Sequence, residues 1–184
     1  RFEQREGVRV NVVYNVCGIL TAQMRTLTPD SPEFPDSYMA CDVYYLETVQ
    51  EMFEPGTNVS DTDIVIVVQK GNPRGIKSLK DLTKPGVRVA LGQPDQCTIG
   101  VLSRRLLESE GLYDTILKQN VVTQTATSAL LVPNITTKAA DAVLAYRTDT
   151  RAEAERLDVI DIDSPLAKAV QPFSTALSSD HKRL

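Results

Sequence analysis

Three predicted helix beginnings carry the residues in this sequence that are best suited to bind an anion. In the stretch VNVVYNVCGILTAQM, Cys17 and Gly18 follow a predicted strand, Val8–Tyr14, and open a helix. Thr98 and Thr127 open two further predicted helices. The first N–H groups of a helix lack an intrahelical acceptor and carry partial positive charge, so they hold an anion without Lys or Arg. Most such helix beginnings in α/β proteins nevertheless bind nothing, and both interpretations stay open at this point.

The cysteines offer a second kind of chemistry. Cys17, Cys41 and Cys97 form an odd set, which allows at most one internal disulfide and leaves a thiol. Their spacing fits neither a zinc site nor a thioredoxin-like redox motif. The single histidine, His181, lies in a polar tail, which disfavours a Cys–His pair, and no serine-nucleophile, zinc-protease or phosphate-loop motif occurs. We therefore predict no enzyme, no cofactor and no bound metal from known motifs; a cysteine-dependent enzyme is the minor alternative.

Composition narrows the class of partner. The chain has 184 residues, with 20 Lys and Arg against 24 Asp and Glu, and a net charge of −4. Nucleic acid is therefore not expected as a partner, because its phosphates require a basic face. No apolar run approaches the roughly 18 residues of a membrane span.

Strand and helix signals alternate along the chain, which predicts an α/β fold with parallel strands and right-handed crossovers. The predicted strands are 8–14, 38–40, 63–69, 86–91, 120–124, 139–146, 157–162 and 172–177. The predicted helices are 18–27, 43–53 behind an Asp42 cap, 78–82, 98–110, 113–119 and one after Thr127. Ligands in open α/β sheets lie beyond the carboxyl ends of strands. That rule selects four loops: 15–18, 40–42, 92–100 and 146–149.

Four stretches of this sequence together resemble the periplasmic molybdate-binding proteins of ABC transporters: GVRVNVVYNVCGILTAQM, ACDVYYLETV, KGNPRGIKSLKDLTKPGVRVALGQPDQCTIG and AYRTDT. The resemblance implies a two-lobed periplasmic-binding-protein fold of type II, with two crossover strands as a hinge. Lobe one would comprise 1–66 plus 160–184, and lobe two 67–159. A tetrahedral oxyanion of the molybdate or tungstate type would bind between the lobes, outside the cytoplasm in the periplasm, for delivery to an ABC transporter permease.

The resemblance also implies the ligand-binding residues. Cys17 stands where the family usually has a serine, and Gly18 follows it in the same loop. The backbone donor of the next loop falls on Ile99, and the donor at the following helix falls on Thr127. The hydroxyl that closes the site falls on Tyr146.

Departures from the family leave alternatives open. The family's first strand and helix and its last helix have no counterpart here, so we expect an incomplete first lobe and a homodimer formed through it. Arg147 stands where a small residue is usual; turned inward, it would favour phosphate, sulfate or a small carboxylate. Cys17, Cys41 and Cys97 would together suit a soft metal or an arsenite-like species. A Cys17–Cys97 disulfide is a further alternative.

Overall fold

The computed structural model describes residues 1–181. The chain divides into two compact units. The first unit is Arg1–Val59 together with the segment from Gln171, and the second unit is Ser60–Val170. The lobe limits expected from the sequence, 1–66 plus 160–184 and 67–159, stay a prediction.

Helices and strands are mixed throughout the described residues, which confirms the α/β class. The helices are α1 (Phe2–Glu6), α2 (Cys17–Thr26), α3 (Val43–Glu47), α4 (Thr98–Ser109), α5 (Tyr113–Gln119) and α6 (Leu131–Thr136). The strands are β1 (Ser37–Met39), β2 (Thr57–Gln69), β3 (Val89–Gly92), β4 (Val121–Thr125), β5 (Ala142–Tyr146), β6 (Leu157–Ile160) and β7 (Lys168–Thr175). Four 3-10 segments join them: Gln50–Met52, Leu79–Thr83, Ser128–Leu130 and Arg147–Arg156. No helix in the described part is both long and apolar enough to cross a membrane.

The second unit contains a mixed sheet in the order β6-β2-β5-β3-β4. β2 pairs antiparallel with β5 and β6, whereas β3 pairs parallel with β4 and β5. β2 lies between two neighbours, and its residues Ile64 to Val68 are fully buried, as expected for a strand with apolar side chains on both faces. The parallel strands β3, β4 and β5 direct their carboxyl ends to one edge of the sheet.

Helix α4 packs against β3 and β5 of this sheet. Its buried residues Ile99, Leu102, Leu106 and Leu107 follow the spacing of a single helix face. Gly111, with φ +67°, ends the turn after α4 in the left-handed conformation that glycine adopts without a Cβ penalty. The helix is therefore fixed at both ends, and its beginning is held at the carboxyl edge of β3.

The strand pairing of the first unit is smaller. β1 pairs antiparallel with β7, with Tyr38 opposite Ser174. In the core, the centroid of the Phe53 ring lies 5.7 Å from that of Phe34 and 5.9 Å from that of Tyr38. The parallel pairing predicted for the early strands is wrong for β1, whose recorded partner is the antiparallel β7.

The predicted strand Val8–Tyr14 is also wrong. The segment forms no strand pairing among the described residues, and Val12 and Tyr14 are 58% and 89% exposed. The alternation of β-branched residues was correctly identified, but a strand needs a neighbour for its backbone hydrogen bonds, and no described segment pairs with it.

Two other boundaries differ from prediction. The helix predicted over 43–53 ends at Glu47 and continues as a separate 3-10 turn, because Val49 leaves helical geometry at φ −133° and is fully buried. The segment 78–82 is a 3-10 helix over Leu79–Thr83 rather than an α-helix; the Asp81 carboxylate accepts the Lys77 and Ser78 amides at its start.

Candidate functional site

The carboxyl edge of β3, β4 and β5 gathers three loops of the second unit. β3 ends at Gly92, β4 at Thr125 and β5 at Tyr146. Because these strands run parallel, the loops that follow them lie along one edge of the sheet. The Gln93 amide donates to the Thr125 carbonyl at 2.8 Å, which joins the first two loops directly. Three of the residues predicted from the resemblance, Ile99, Thr127 and Tyr146, belong to these loops or their ends.

Gly92 and Gly100 allow the close backbone packing at the two ends of the first of these loops. A Cβ at Gly92 would lie 2.7 Å from the Gly100 nitrogen, and a Cβ at Gly100 would lie 2.5 Å from the Gln93 carbonyl carbon. Both are backbone contacts that a side chain cannot avoid by rotating. The strand end and the start of α4 therefore touch through bare backbone, a packing that requires glycine at both positions.

The start of α4 presents the donor predicted at Ile99. The amides of Gly100 and Val101 donate to the Cys97 carbonyl, at 3.0 Å and 3.3 Å, and begin the helical bonding pattern. The amides of Thr98 and Ile99 precede that pattern and have no intrahelical acceptor. The Ile99 side chain is buried in the core, so only its backbone N–H could reach a ligand. The arrangement supplies a neutral donor at the positive end of a twelve-residue helix.

Cys97 is turned into this loop rather than toward a ligand. Its sulfur lies 3.6 Å from the Gln93 carbonyl oxygen and 3.5 Å from the Thr125 carbonyl oxygen, and the residue is buried. Burial raises the pKa of the Cys97 thiol, more than the nearby Gly100 and Gln93 backbone groups lower it. A thiol with a raised pKa forms little of the nucleophilic thiolate, so this environment does not support a cysteine-dependent enzyme.

The second and third loops hold Thr127 and Tyr146. Thr127 is exposed and precedes the 3-10 turn that leads into α6, and its carbonyl accepts the Thr125 hydroxyl at 3.0 Å. Tyr146 is half-buried at the end of β5, with its hydroxyl oxygen removed from solvent. Asp149 follows in the same loop, with one carboxylate oxygen buried.

Arg147 is held by two carboxylates. Its guanidinium lies 3.1 Å from Asp63 and also contacts Asp161, while the side chain remains 42% exposed. These three residues and Lys168 line a cavity of about 460 Å³ in the second unit. The lining does not include Ile99, Thr127 or Tyr146. The Arg147 charge is therefore balanced within the protein, in a cavity whose walls carry both signs of charge.

In the first unit, Cys17 and Cys41 form a disulfide. Cys17 is the first residue of α2 and is buried, Gly18 follows it half-buried, and the Cys41 amide donates to the Cys17 sulfur at 3.2 Å. Asp42 caps α3, as predicted, by accepting the Tyr44 amide at 3.0 Å.

This disulfide corrects two expectations. A Cys17–Cys97 bridge is wrong, because Cys17 is paired with Cys41. A soft-metal site built from all three thiols is also wrong here, because two of the three sulfurs are bonded to each other and Cys97 is buried among carbonyls. Within residues 1–181, no group of three His, Cys, Asp or Glu side chains is arranged to hold a metal ion.

Sequence reasoning missed the Gly92–Gly100 contact and the Cys17–Cys41 pairing. The first has a sequence signal, since two glycines flank a strand-to-helix loop. The second has none, because three cysteines allow three pairings and spacing does not choose between them.

Comparison with known proteins identifies relatives along the whole chain. A model of the family described as bacterial extracellular solute-binding protein matches residues 1–184. The molybdate-binding protein ModA of Mycobacterium tuberculosis is 31% identical over 157 residues, which cover 84% of this chain and 56% of that protein. The chain therefore spans little more than half the length of the curated relatives it matches.

Solved structures show the same fold. The sulfate-binding protein SubI from Mycobacterium tuberculosis has a TM-score of 0.72 at 16% identity, covering 97% of this chain and 69% of that one. The periplasmic molybdate-binding protein of Azotobacter vinelandii has a TM-score of 0.63 at 18% identity, covering 98% and 79%. These likenesses confirm the periplasmic-binding-protein type of fold.

Proposed function

We propose that this chain, which belongs to the family of bacterial extracellular solute-binding proteins, binds a tetrahedral oxyanion of the molybdate or tungstate type. The observation that carries the proposal is the carboxyl edge of β3, β4 and β5, where the start of α4 presents the Ile99 amide. Thr127 and the Tyr146 hydroxyl belong to the neighbouring loops of the same edge. The family is defined by solute binding rather than catalysis, in line with the prediction that the chain is not an enzyme.

The chemistry of these donors suits an oxyanion. Each is neutral, so the charge of the ligand would be balanced by N–H and O–H dipoles and the α4 macrodipole rather than by a cation. Arg147 is already engaged with Asp63 and Asp161, which favours this mode over one in which Arg147 binds the ligand. The relatives named for molybdate support the choice of ligand.

A second oxyanion class has its own support. SubI is named for sulfate, and sulfate is tetrahedral and doubly charged like molybdate. Neutral donors at fixed positions would discriminate between the two chiefly by ion size. Phosphate and small carboxylates stay further alternatives. The Cys17–Gly18 turn of the first unit, assigned to ligand binding by the resemblance, also stays a prediction.

Location and partner follow from the same family. The family is extracellular, and a disulfide such as Cys17–Cys41 persists in oxidising compartments, so the chain functions outside the cytoplasm. We place it in the periplasm, where it would deliver its ligand to the permease of an ABC transporter. No nucleic acid partner is proposed, in keeping with the net charge of −4.

The test is titration calorimetry with molybdate, tungstate, sulfate and phosphate, together with the thermal midpoint. A ligand at 1,000 times its Kd stabilises the folded chain by about 4 kcal/mol, which raises the thermal midpoint by roughly 8–16 °C.

Tyr146→Phe removes one donor to a charged ligand and should weaken binding about 10- to 100-fold. Tyr113→Phe, on helix α5, is the matched control and should bind as the parent does. If none of the four anions binds, the proposal is refuted.

We also propose that two copies pair through Val8–Tyr14. Val10, Val12 and Tyr14 occupy alternate positions and are exposed, so a twofold axis at Val12 would place Val10 opposite Tyr14 in an antiparallel pair. Such pairing would add backbone hydrogen bonds to the one that the Val10 amide donates to Glu3, and it would cover apolar side chains. Val12→Lys should then convert a dimer into a monomer in sedimentation velocity, whereas Val122→Lys, at an exposed position of β4, should leave the mass unchanged. A parent chain that is monomeric at high concentration would contradict this.

A further inference from the structure

Asp149 places a carboxyl group in the loop 146–149, which also carries the neutral Tyr146 hydroxyl and the charged Arg147. It lies three residues after Tyr146, beyond the end of β5, and is half-buried. Its Oδ2 oxygen is removed from solvent and has no hydrogen-bond partner among the described residues. A buried carboxylate oxygen without a donor destabilises the charged form, so this group is poised to accept a proton.

The surroundings of this carboxyl offer little compensation. Ser128, across from it at the start of the 3-10 turn after β4, is the side chain that interacts with the carboxyl. Arg147, two residues earlier, directs its guanidinium to Asp63 and Asp161. Arg151, in the same 3-10 segment, is exposed. Within the described part of the chain, no cation is recorded as acting on this carboxyl.

Desolvation acts on the carboxyl in the expected direction. Burial raises the pKa of Asp149, and the Ser128 hydroxyl opposes that rise only in part. The group is therefore closer to protonation at neutral pH than an exposed aspartate.

We infer that oxyanion binding at the carboxyl edge of β3, β4 and β5 takes up one proton, and that Asp149 receives it; this rests on the proposed function. Ser128 directly follows Thr127, and consecutive Cα atoms are about 3.8 Å apart. Because the Ser128 side chain interacts with the Asp149 carboxyl, an anion held by the Thr127 donor would stand near that carboxyl, where a like charge disfavours ionisation. Molybdate, tungstate and sulfate are fully deprotonated at neutral pH, so solvent supplies the proton. It adds to a carboxylate oxygen, and no covalent bond of the ligand changes.

Proton uptake fixes the sign of the pH dependence. The anion raises the pKa of Asp149, so affinity is highest at a pH below the pKa of the free protein. Affinity then falls by up to tenfold per pH unit until the pKa of the complex is reached, and is constant above it. Asp149 is therefore a determinant of affinity that acts through charge, without serving as a direct donor to the ligand.

Calorimetry in buffers of different ionisation enthalpy counts the protons. Molybdate is titrated into the parent chain at a series of pH values between 5 and 8, and the observed heat is plotted against buffer enthalpy. The slope should approach one proton at some pH for the parent and zero throughout for Asp149→Asn. Asp149→Asn should also bind at least tenfold more tightly than the parent at pH 8, with an affinity independent of pH.

Asp163→Asn, an exposed acid of the same unit, is the control and should keep the parent slope. Molybdate binding with a zero slope in the parent, or an unchanged slope in Asp149→Asn, would overturn the inference while leaving the proposed function intact. Failure of both proteins to bind any oxyanion would instead refute the proposed function and the inference with it. If Asp149→Asn does not fold, the ¹³C shift of the Asp149 carboxyl in the parent decides the matter, because molybdate must raise its titration midpoint.

Discussion

The two units bury their apolar residues in different ways. In the second unit, the apolar strand β2 lies between β5 and β6, and Ile64 to Val68 are fully buried. In the first unit, the alternating segment Val8–Tyr14 pairs with no strand among residues 1–181, and Tyr14 is 89% exposed. An apolar pattern is thus only half of the requirement for a strand; the other half is a neighbour that supplies backbone hydrogen bonds. The first unit instead has a covalent bond, Cys17–Cys41, in its small core.

The sharpest test of the packed unit is Leu144→Ala in β5. Leu144 is fully buried, so the truncation should lower the free energy of unfolding by about 2–5 kcal/mol, measured by denaturant titration. Val122→Ala, at an exposed position of β4, is the control and should change it by less than about 0.5 kcal/mol. Equal effects of the two substitutions would mean that Leu144 does not lie in a well-packed core.

The contribution of the disulfide to the first unit is tested by Cys41→Ser, which removes it. The loss should cost about 2–4 kcal/mol of stability, because the reduced chain gains unfolded-state entropy. Hydrogen exchange should localise the loss to α2 and α3 rather than to β2 or β5. A reducing agent should destabilise the parent and have no effect on Cys41→Ser; an equal effect on both would show that another group responds.

The charged group that most distinguishes the second unit is Asp141. It is buried and accepts the Arg88 amide at 2.9 Å and the Arg88 guanidinium at 3.0 Å, with Arg74 at 3.4 Å. Burial raises the pKa of Asp141, but the Arg88 hydrogen bonds and the two positive charges outweigh it and hold the pKa below its usual range.

A lowered folded-state pKa contributes stability that is present above the unfolded-state pKa of about 3.9 and is lost as pH falls through the folded value. Asp141→Asn should therefore cost about 1–3 kcal/mol at pH 7 and unfold with a flatter dependence on pH below about 4. Acid titration followed by circular dichroism measures this. The exposed Asp114→Asn is the control, and a steep acid transition retained in Asp141→Asn would contradict the assignment.

The smallest effect on stability is expected at Tyr14. Tyr14→Ser should change the free energy of unfolding by less than about 0.5 kcal/mol, because the side chain is almost fully exposed. It should nevertheless weaken self-association in light scattering if Val8–Tyr14 pairs with a second copy. A large loss of stability would indicate that this segment is packed after all.

Sequence reasoning succeeded where local pattern and tertiary context agree. The helix predicted over 98–110 appears as Thr98–Ser109, since its apolar face and its glycine stop are both encoded locally. The segment predicted at 63–69 lies within β2 for the same reason. The strand predicted at 8–14 failed because pairing depends on residues far away in the chain.

In the candidate site, too, local features were predicted and long-range contacts were not. The loops 92–100 and 146–149 were predicted from strand-to-helix transitions, which are local features. The engagement of Arg147 by Asp63 and Asp161 joins residues 84 and 14 positions apart, and the pairing of Cys17 with Cys41 joins residues 24 apart. No local pattern encodes such contacts, so charge and thiol chemistry were the least predictable part of the site.

The pairing of Cys17 with Cys41 makes Cys97 a built-in reporter. Under oxidising conditions Cys97 holds the one thiol of the chain's three cysteines that is not in a disulfide, and it is buried against the carbonyls of Gln93 and Thr125. A thiol-directed dye can therefore attach only when this loop opens. The rate of dye attachment therefore reports how often this loop of the second unit opens. A bound ligand that closes the loop would lower that rate, and no engineered label is needed to measure it.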